Sequence, residues 1–271
     1  MPIPSLWIDR RHHCRNSLTC PLDPELLGYT FPGMLDPRER LIVALDVSSA
    51  AAAQKIVAAV GDSAFTYKVG KQLFTAEGPQ VVRDLVASGH RVFLDLKYHD
   101  IPNTVAAAVL EAGKLGVSMV TVHASGGGKM LRAAVDAARN FIPSSRNNSL
   151  KVLAVTVLTS LDDNDLEKIG VRGKVVDQVL RLAALAIADG CDGVVASAQE
   201  ASELRSELDG NFLIVTPGVR PAGSGRGDQV RVVTPAEAIA AGATHIVVGR
   251  PITEAADPAA EARAILGQIR S

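Results

Sequence analysis

The chain has 271 residues, of which 47% are hydrophobic and 21% charged, and its formal net charge is −1. This composition allows a large hydrophobic core, and without a basic excess or many aromatic residues it argues against a nucleic-acid-binding protein. Three scattered cysteines form no disulfide framework, and no apolar run approaches the roughly 20 residues of a membrane span, so we expect a cytoplasmic protein without a membrane segment.

Residues 1–36 differ from the rest of the chain. They contain five prolines and show no sustained hydrophobic periodicity, which predicts a loosely ordered N-terminal extension. Met34 stands just before the first regular segment, and we hypothesise that it is the true start of the protein. The segment HHC (12–14), followed by Cys20, matches no zinc-binding spacing, so no metal site is predicted there.

From residue 40 onward, short runs of β-branched residues alternate with alanine-rich stretches of helical period. The predicted strands are LIVALD (41–46), AFTYKV (64–69), RVFLDL (91–96), SMVTVH (118–123), KVLAVTV (151–157), DGVVAS (192–197), FLIVTP (212–217) and THIVVG (244–249). The predicted helices cover 49–60, 76–88, 103–115, 129–140, 175–189, 198–207, 235–241 and 257–269. Strands that are apolar nearly throughout indicate burial on both faces, and their alternation with helices indicates a parallel sheet.

Eight βα units in about 230 residues predict a single-domain α/β protein, a (β/α)8 or TIM barrel, over residues 37–271. The alternative is a doubly wound open sheet, which normally carries a glycine fingerprint after its first strand. Residues 46–51 read DVSSAA at that place, so the barrel is favoured.

In such a barrel, catalytic groups lie at the C-terminal ends of the strands, and most of the notable polar residues of this chain fall there. They are Asp46 after strand one, Lys68 in strand two, Asp95, Lys97 and Asp100 at strand three, His123 at strand four, and Thr159 and Ser160 beyond strand five. A single aspartate after a strand is often a helix cap, so Asp46 alone is ambiguous. A lone His123 is interpreted as a packed, hydrogen-bonded residue outside the site. The convergence of acidic and basic residues is what indicates function.

The segment VFLDLKYHDIPNTV (92–105) places a lysine between two aspartates at the end of a buried strand. Strand alternation puts Asp95 and Lys97 on the same side, with Asp100 just beyond. An unpaired buried lysine would be costly, whereas two neighbouring carboxylates favour its charged form. We therefore expect Lys97 to act as a proton donor rather than as a nucleophile. The alternative is an ion network that only supports the structure.

The loops after strands seven and eight of such barrels commonly bind phosphate through backbone N–H groups. Here they read PGVRPAG (217–223), SGRGDQ (224–229) and VGRPIT (248–253). Arg220 and Arg250 each offer a planar fork of donors, and Gly249 allows a close backbone approach. These features predict a phosphorylated substrate, and the glycine-rich residues 218–229 are the expected lid.

Six segments together resemble those of the orotidine 5′-phosphate decarboxylase family. They are LIVALD (41–46), YKVG (67–70), DLKYHDIPNT (95–104), LTS (158–160), TPGVRP (216–221) and VVGRPIT (247–253). The DxKxxD element alone occurs in a wider superfamily, but the longer string and the GRPIT segment are more specific. The resemblance runs in order from 41 to 271 and leaves out only the N-terminal extension.

The resemblance implies a (β/α)8 barrel that works as a homodimer, with active sites shared at the interface. It also implies conversion of orotidine 5′-monophosphate to UMP and CO2, the last step of de novo pyrimidine synthesis, without a metal or organic cofactor.

The resemblance further implies a role for each matching residue. Lys97 would protonate C6 of the pyrimidine as CO2 leaves, and Asp95 would lie beside the departing carboxylate. Lys68 and Asp46 would hold ribose hydroxyls and complete the charge array, and Asp100 would enter the active site of the partner subunit. Ile101 and Thr104 would lie close to Asp100, Thr159 and Ser160 at the pyrimidine, and Arg220, Gln229, Gly249 and Arg250 at the phosphate, next to the substrate-binding Pro217.

Two other functions are alternatives. A sugar-phosphate decarboxylase or epimerase of the same barrel superfamily would typically depend on a metal and be sensitive to a chelator. A catalytically inactive phosphosugar-binding barrel would bind UMP tightly without turnover, but the complete charge array disfavours it.

Overall fold

The computed structural model describes residues 36–141, 149–221 and 233–269 of the chain. Eight parallel strands follow one another around a closed barrel in the order of the sequence. The barrel closes where the first strand pairs with the last, with Leu41 opposite Ile246. The predicted (β/α)8 barrel is confirmed, and the open sheet is excluded.

All eight predicted strands are present. They are β1 (Leu41–Ala44), β2 (Thr66–Gly70), β3 (Arg91–Tyr98), β4 (Met119–His123), β5 (Lys151–Val155), β6 (Gly193–Val195), β7 (Leu213–Thr216) and β8 (His245–Val248). The helices of the described residues are α1 (Pro37–Arg40), α2 (Ala50–Val60), α3 (Lys71–Glu77), α4 (Gln80–Ala87), α5 (Pro102–Lys114), α6 (Gly128–Asn140), α7 (Asp163–Lys168), α8 (Val175–Ala188), α9 (Ala198–Glu207), α10 (Pro235–Ala240), α11 (Arg250–Thr253) and α12 (Pro258–Gln268).

The interior of the barrel is a separate apolar layer. Side chains at alternate strand positions point inward, and the buried cluster between the strands consists of Ile42, Ala44, Phe93, Met119, Leu153, Val215 and Val247. The intervening side chains, such as Leu41, Val43 and Leu94, belong to a larger cluster that includes the helices. Both faces of the strands are therefore buried, which explains why the strands read as continuous apolar runs.

Each of the eight predicted helices is found, and the four short helices α1, α3, α7 and α11 were not predicted. The predicted helix 76–88 begins later than expected, at Gln80. Gly78, with φ of 67°, and the following Pro79 separate it from α3. A left-handed glycine is a common way to end a helix, and proline cannot continue one.

The predicted boundary between an extension and the barrel, at residues 36 and 37, depends on residues that precede the described part of the chain. That boundary and the loose order of the extension stay predictions, and the HHC segment at 12–14 also lies outside the described residues. Within residues 36–141, 149–221 and 233–269, none of the helices combines the length and the apolar character that a membrane span requires.

Candidate active site

A cavity of about 520 Å³ opens at the C-terminal ends of the barrel strands. The sequence-predicted residues that line it are Asp46, Lys68, Asp95, Lys97, Thr159, Pro217, Arg220, Gly249 and Arg250. Strand alternation explains why Asp46 and Asp95 both face the cavity. Two positions beyond the inward-facing Ala44 and Phe93, the next inward-facing residues are Asp46 and Asp95.

Two lysines and two aspartates of the cavity lining form a connected ion network. The Lys97 Nζ lies 2.8 and 2.9 Å from the two carboxylate oxygens of Asp95. The Lys68 Nζ lies 2.7 Å from Asp46 Oδ1 and 3.9 Å from Asp95 Oδ2. The Lys68 and Asp95 side chains are only 11% and 13% exposed, whereas Asp46 is 58% exposed at the rim. Asp95 therefore bridges both ammonium groups in a largely desolvated position.

The backbone of Lys97 departs from regular strand geometry. Its φ of 55° is the only left-handed value at a non-glycine residue in the described part of the chain. The β3–β4 pairing shifts there, from Leu94 opposite Val120 to Tyr98 opposite Val122. This conformation is unfavourable for residues with a Cβ, and unfavourable backbone geometry of this kind is found mainly at functional sites.

Sequence reasoning missed Thr121, which joins this network from β4. Its hydroxyl accepts the Lys97 backbone N–H at 2.8 Å and donates to Asp95 Oδ1 at 3.0 Å. A signal was present, because alternation along SMVTVH puts Thr121 on the inward face between Met119 and His123.

Arg220, Gly249 and Arg250 contribute to another part of the cavity lining, at the ends of β7 and β8. Arg220 is largely buried, and its backbone N–H donates to the Val233 carbonyl at 2.9 Å. A Cβ added at Gly249 would lie 3.6 Å from the Ala44 Cβ. That is an ordinary contact, so the missing side chain enlarges the cavity rather than relieving a clash. Gln229 and most of the expected lid at 218–229 lie outside the described residues.

Thr159 and Ser160, the two residues expected at the pyrimidine, differ in their position relative to the cavity. Thr159 lines the cavity, whereas Ser160 is exposed and is not among the lining residues of the described chain. Apolar residues that sequence reasoning did not select form much of the wall: Phe93, Val155, Val157, Leu158 and Val195. Such a wall suits the face of a planar ring.

Asp100, which is expected to enter the partner's site, lies outside the cavity lining of this single chain, as do the neighbouring Ile101 and Thr104. Asp100, Ile101 and Thr104 are all exposed, and Ile101 is 67% exposed. The Asp100 carboxylate accepts the Ile101 backbone N–H at 2.6 Å, at the start of α5. Their side chains are therefore accessible to solvent in the single chain, just beyond the C-terminal end of β3.

His123 ends β4 beside the network without joining it by a described hydrogen bond. Its ring lies 5.3 Å from the ring of His99, centroid to centroid. Burial lowers the pKa of His123, and the nearby His99, Lys97 and Lys71 lower it further. The packing of this imidazole agrees with the interpretation made from the sequence, and the hydrogen bond expected for it stays a prediction.

Comparison with known proteins gives a consistent result across the barrel. The model of the family described as Orotidine 5′-phosphate decarboxylase / HUMPS family matches residues 39–265. An orotidine 5′-phosphate decarboxylase from Halorhodospira halophila is 54% identical over 230 residues, covering 85% of this chain and 95% of that protein. One from Moorella thermoacetica is 51% identical over 233 residues, covering 86% and 92%.

Solved structures of similar proteins share the architecture. Orotidine 5′-phosphate decarboxylase from Lactobacillus acidophilus is 40% identical, with a TM-score of 0.77 over 86% of this chain and 100% of that chain. The decarboxylase of the same name from Pyrococcus horikoshii is 26% identical, with a TM-score of 0.69 over 85% and 99%.

Proposed function

The chain belongs to the orotidine 5′-phosphate decarboxylase / HUMPS family, and from that membership we propose that it decarboxylates orotidine 5′-monophosphate to UMP and CO2 in pyrimidine biosynthesis. Relatives that are 54% and 51% identical over most of this chain are named for that activity. The chain is therefore best described as an enzyme of the carboxy-lyase type.

The observation that carries the proposal is the network of Lys97, Asp95, Lys68 and Asp46 in the cavity lining. When the bond between C6 and the carboxyl carbon breaks, CO2 leaves and the electron pair stays on C6 of the pyrimidine. A fixed ammonium group beside C6 stabilises that negative charge as it develops. The Lys97 ammonium then transfers a proton to C6, forming UMP and a neutral amine that solvent reprotonates.

Asp95 holds the proton donor in place. Both of its carboxylate oxygens contact the Lys97 Nζ, at 2.8 and 2.9 Å, so the ammonium has little freedom to move. We place Asp95 beside the departing carboxylate of the substrate. Lys68 and Asp46, which pair at 2.7 Å, are proposed to hold the ribose hydroxyls nearer the rim.

The phosphate of the substrate is assigned to the ends of β7 and β8. Arg220 and Arg250 both line the cavity there, and guanidinium groups bind phosphate through two parallel hydrogen bonds. Gly249 lines the cavity without adding a side chain to it, and Gln229 is proposed to complete the site. Binding energy from the phosphate helps to orient the pyrimidine over Lys97, although the phosphate does not react.

The proposal includes a cytoplasmic homodimer with shared active sites and no requirement for a metal or organic cofactor. The exposure of Asp100, Ile101 and Thr104 just beyond β3 supports the sharing of sites. In the dimer, Asp100 would enter the cavity of the partner subunit with Ile101 and Thr104 close by, and Thr159 and Ser160 would lie at the pyrimidine.

An ultraviolet assay with orotidine 5′-monophosphate tests the function directly, because the pyrimidine absorbance changes when the carboxyl group is lost. We expect turnover by the full chain that is the same with and without EDTA, and none by a Lys97→Ala variant. Activity on a sugar phosphate that EDTA abolishes, without any absorbance change with orotidine monophosphate, would instead indicate a metal-dependent enzyme of the same superfamily. Tight UMP binding without turnover would indicate an inactive binding barrel.

A further inference from the structure

The hydroxyl of Thr121 is not needed for the pairing of β4 with its neighbouring strands, which uses backbone groups. Thr121 lies in the middle of β4 and is fully buried, with 0% of its surface exposed. It faces the barrel interior, directly above the apolar layer to which Met119 belongs. A valine would fill this volume equally well and would avoid burying a hydroxyl group. A hydroxyl buried in this way needs hydrogen-bond partners within the protein.

The β3 strand opposite Thr121 contains additional residues. Between two paired positions, β3 advances from Leu94 to Tyr98 while β4 advances only from Val120 to Val122. Four steps on one strand thus face two on the other, as in an enlarged β-bulge. Within this irregular stretch, the Lys97 backbone N–H donates to the Thr121 hydroxyl at 2.8 Å. The hydroxyl substitutes for a carbonyl of the regular ladder.

The Thr121 hydroxyl makes a second hydrogen bond. A threonine hydroxyl has one O–H donor and two lone pairs, and here the O–H donates to Asp95 Oδ1 at 3.0 Å. Asp95 Oδ1 is also 2.8 Å from the Lys97 Nζ. One side chain therefore holds the backbone of Lys97 and the carboxylate that contacts its ammonium group.

We propose that Thr121 is a positioning residue of the decarboxylation, which fixes both the left-handed backbone of Lys97 and the orientation of Asp95. The inference rests on the proposed function, since it concerns the placement of the proposed proton donor. Without the hydroxyl, the Lys97 N–H loses its partner in a part-buried position, and the strained backbone can relax. Misplacement of a reacting group by about 1 Å can lower a rate by about 10²-fold.

The test compares Thr121→Val, Thr121→Ser and Thr121→Cys with the wild-type chain. Valine keeps the shape but removes both hydrogen bonds, serine retains them, and cysteine offers only a weak donor and acceptor. We expect kcat to fall about 10²-fold for Thr121→Val, with KM and the Kd for UMP changed by less than about threefold. Thr121→Ser should retain most of the activity, and Thr121→Cys should lie between.

Thr244→Val is the matched control. Thr244 is also a buried threonine, just before β8, and its hydroxyl accepts the Ile214 backbone N–H at 3.0 Å, away from the ion network and the cavity lining. Its replacement should lower stability without lowering kcat. A loss of kcat equal to that of Thr121→Val would mean that any buried hydroxyl has this effect, which would overturn the proposal.

Other outcomes decide the proposal as clearly. A folded Thr121→Val variant with kcat within about threefold of wild type would overturn it, as would a serine variant as impaired as the valine variant. If Thr121→Val does not fold, the order of kcat among wild type, serine and cysteine decides. Normal wild-type turnover in these experiments leaves the proposed function intact, whereas a wild-type chain without turnover would remove the function and, with it, the positioning role.

Discussion

At the scale of single residues, Lys97 combines an unfavourable backbone with the proposed proton donor. A left-handed conformation costs a residue with a Cβ about 1–2 kcal/mol, and glycine adopts it freely. The network around Lys97 must supply this free energy, because its φ of 55° persists in the folded chain. Two substitutions of Lys97 can therefore distinguish the effect of the side chain on activity from the effect of the backbone conformation on stability.

Lys97→Ala and Lys97→Gly should both abolish turnover, because each removes the ammonium group. Their stabilities should differ, since alanine retains the backbone strain and glycine does not. We expect the free energy of unfolding of Lys97→Gly to exceed that of Lys97→Ala by about 1 kcal/mol, measured by urea unfolding. Equal stabilities, or a more stable alanine variant, would show that the left-handed conformation is not strained in this protein.

Gly70 gives a second prediction at this scale. Its φ is −95°, which any residue can adopt, but an added Cβ would lie 3.1 Å from the Lys68 Nζ and 3.2 Å from Asp46 Oδ1. Gly70→Ala should therefore displace this ion pair and lower kcat about 10-fold, with less than about 1 kcal/mol lost in unfolding free energy. Gly267→Ala is the control, because nothing lies within 4 Å of its added Cβ. Unchanged kinetics of Gly70→Ala would mean that the pair accommodates the methyl group.

The sequence supplied the charged residues of the site but not their arrangement. Asp46, Lys68 and Asp95 could be predicted because polar residues at the ends of apolar strands stand out from their surroundings. The contact of both Asp95 oxygens with one ammonium depends on the irregular backbone of Lys97, which simple alternation does not contain. Thr121 was missed because threonine is common in buried strands, so its identity alone carries no functional signal.

At the scale of elements, length decided much of what could be predicted, although the six-residue α10 was found. The strands and the longer helices, such as α5 and α8, repeat their apolar pattern several times. The helices α7 and α11 have six and four residues, fewer than two turns, so their apolar periodicity cannot be recognised. The structure nevertheless shows a local signal for α7, because Asp162 and Asp165 form a capping box at its start.

His245, the first residue of β8, makes the stability of this strand sensitive to pH. Burial lowers its pKa to about 4, and Arg40 and Arg91 act in the same direction. The folded chain therefore holds His245 neutral where the unfolded chain, with a pKa near 6.5, already binds a proton. Since the unfolded state binds more protons in this interval, stability must fall as the pH decreases from about 6.5 to about 4.

We expect this histidine to account for up to about 3 kcal/mol of the acid-induced loss in unfolding free energy. His245→Gln should reduce the dependence of the unfolding free energy on pH, measured by urea unfolding at several pH values between about 4 and about 7. Burial also lowers the pKa values of His90 and His123, but both remain in the variant, so the difference between the two curves isolates His245. Parallel curves would contradict the assignment.

At the scale of the whole molecule, the proposed function requires two copies of the chain to complete each site. Asp100, Ile101 and Thr104 are exposed just beyond β3, and the partly exposed Leu158 lines the cavity. The resemblance of the sequence to known decarboxylases, rather than any pattern of spacing, gave the expectation that these residues serve a partner subunit. A side chain outside the cavity lining of its own chain can reach a substrate only across an interface between two copies.

Mixed dimers test this sharing of sites. If each site takes Lys97 from one chain and Asp100 from the other, a dimer of Lys97→Ala and Asp100→Ala chains has one site with both changes and one site with neither. Random pairing of equal amounts makes half of the dimers mixed, so about a quarter of the wild-type activity should return. The matched control pairs Lys97→Ala with Asp95→Ala. Both of these residues belong to the same chain's network, where Lys97 and Asp95 lie 2.8 Å apart, so every mixed site keeps one defect and activity should stay absent. Recovery in both mixtures, or in neither although mixed dimers are isolated, would refute the shared site.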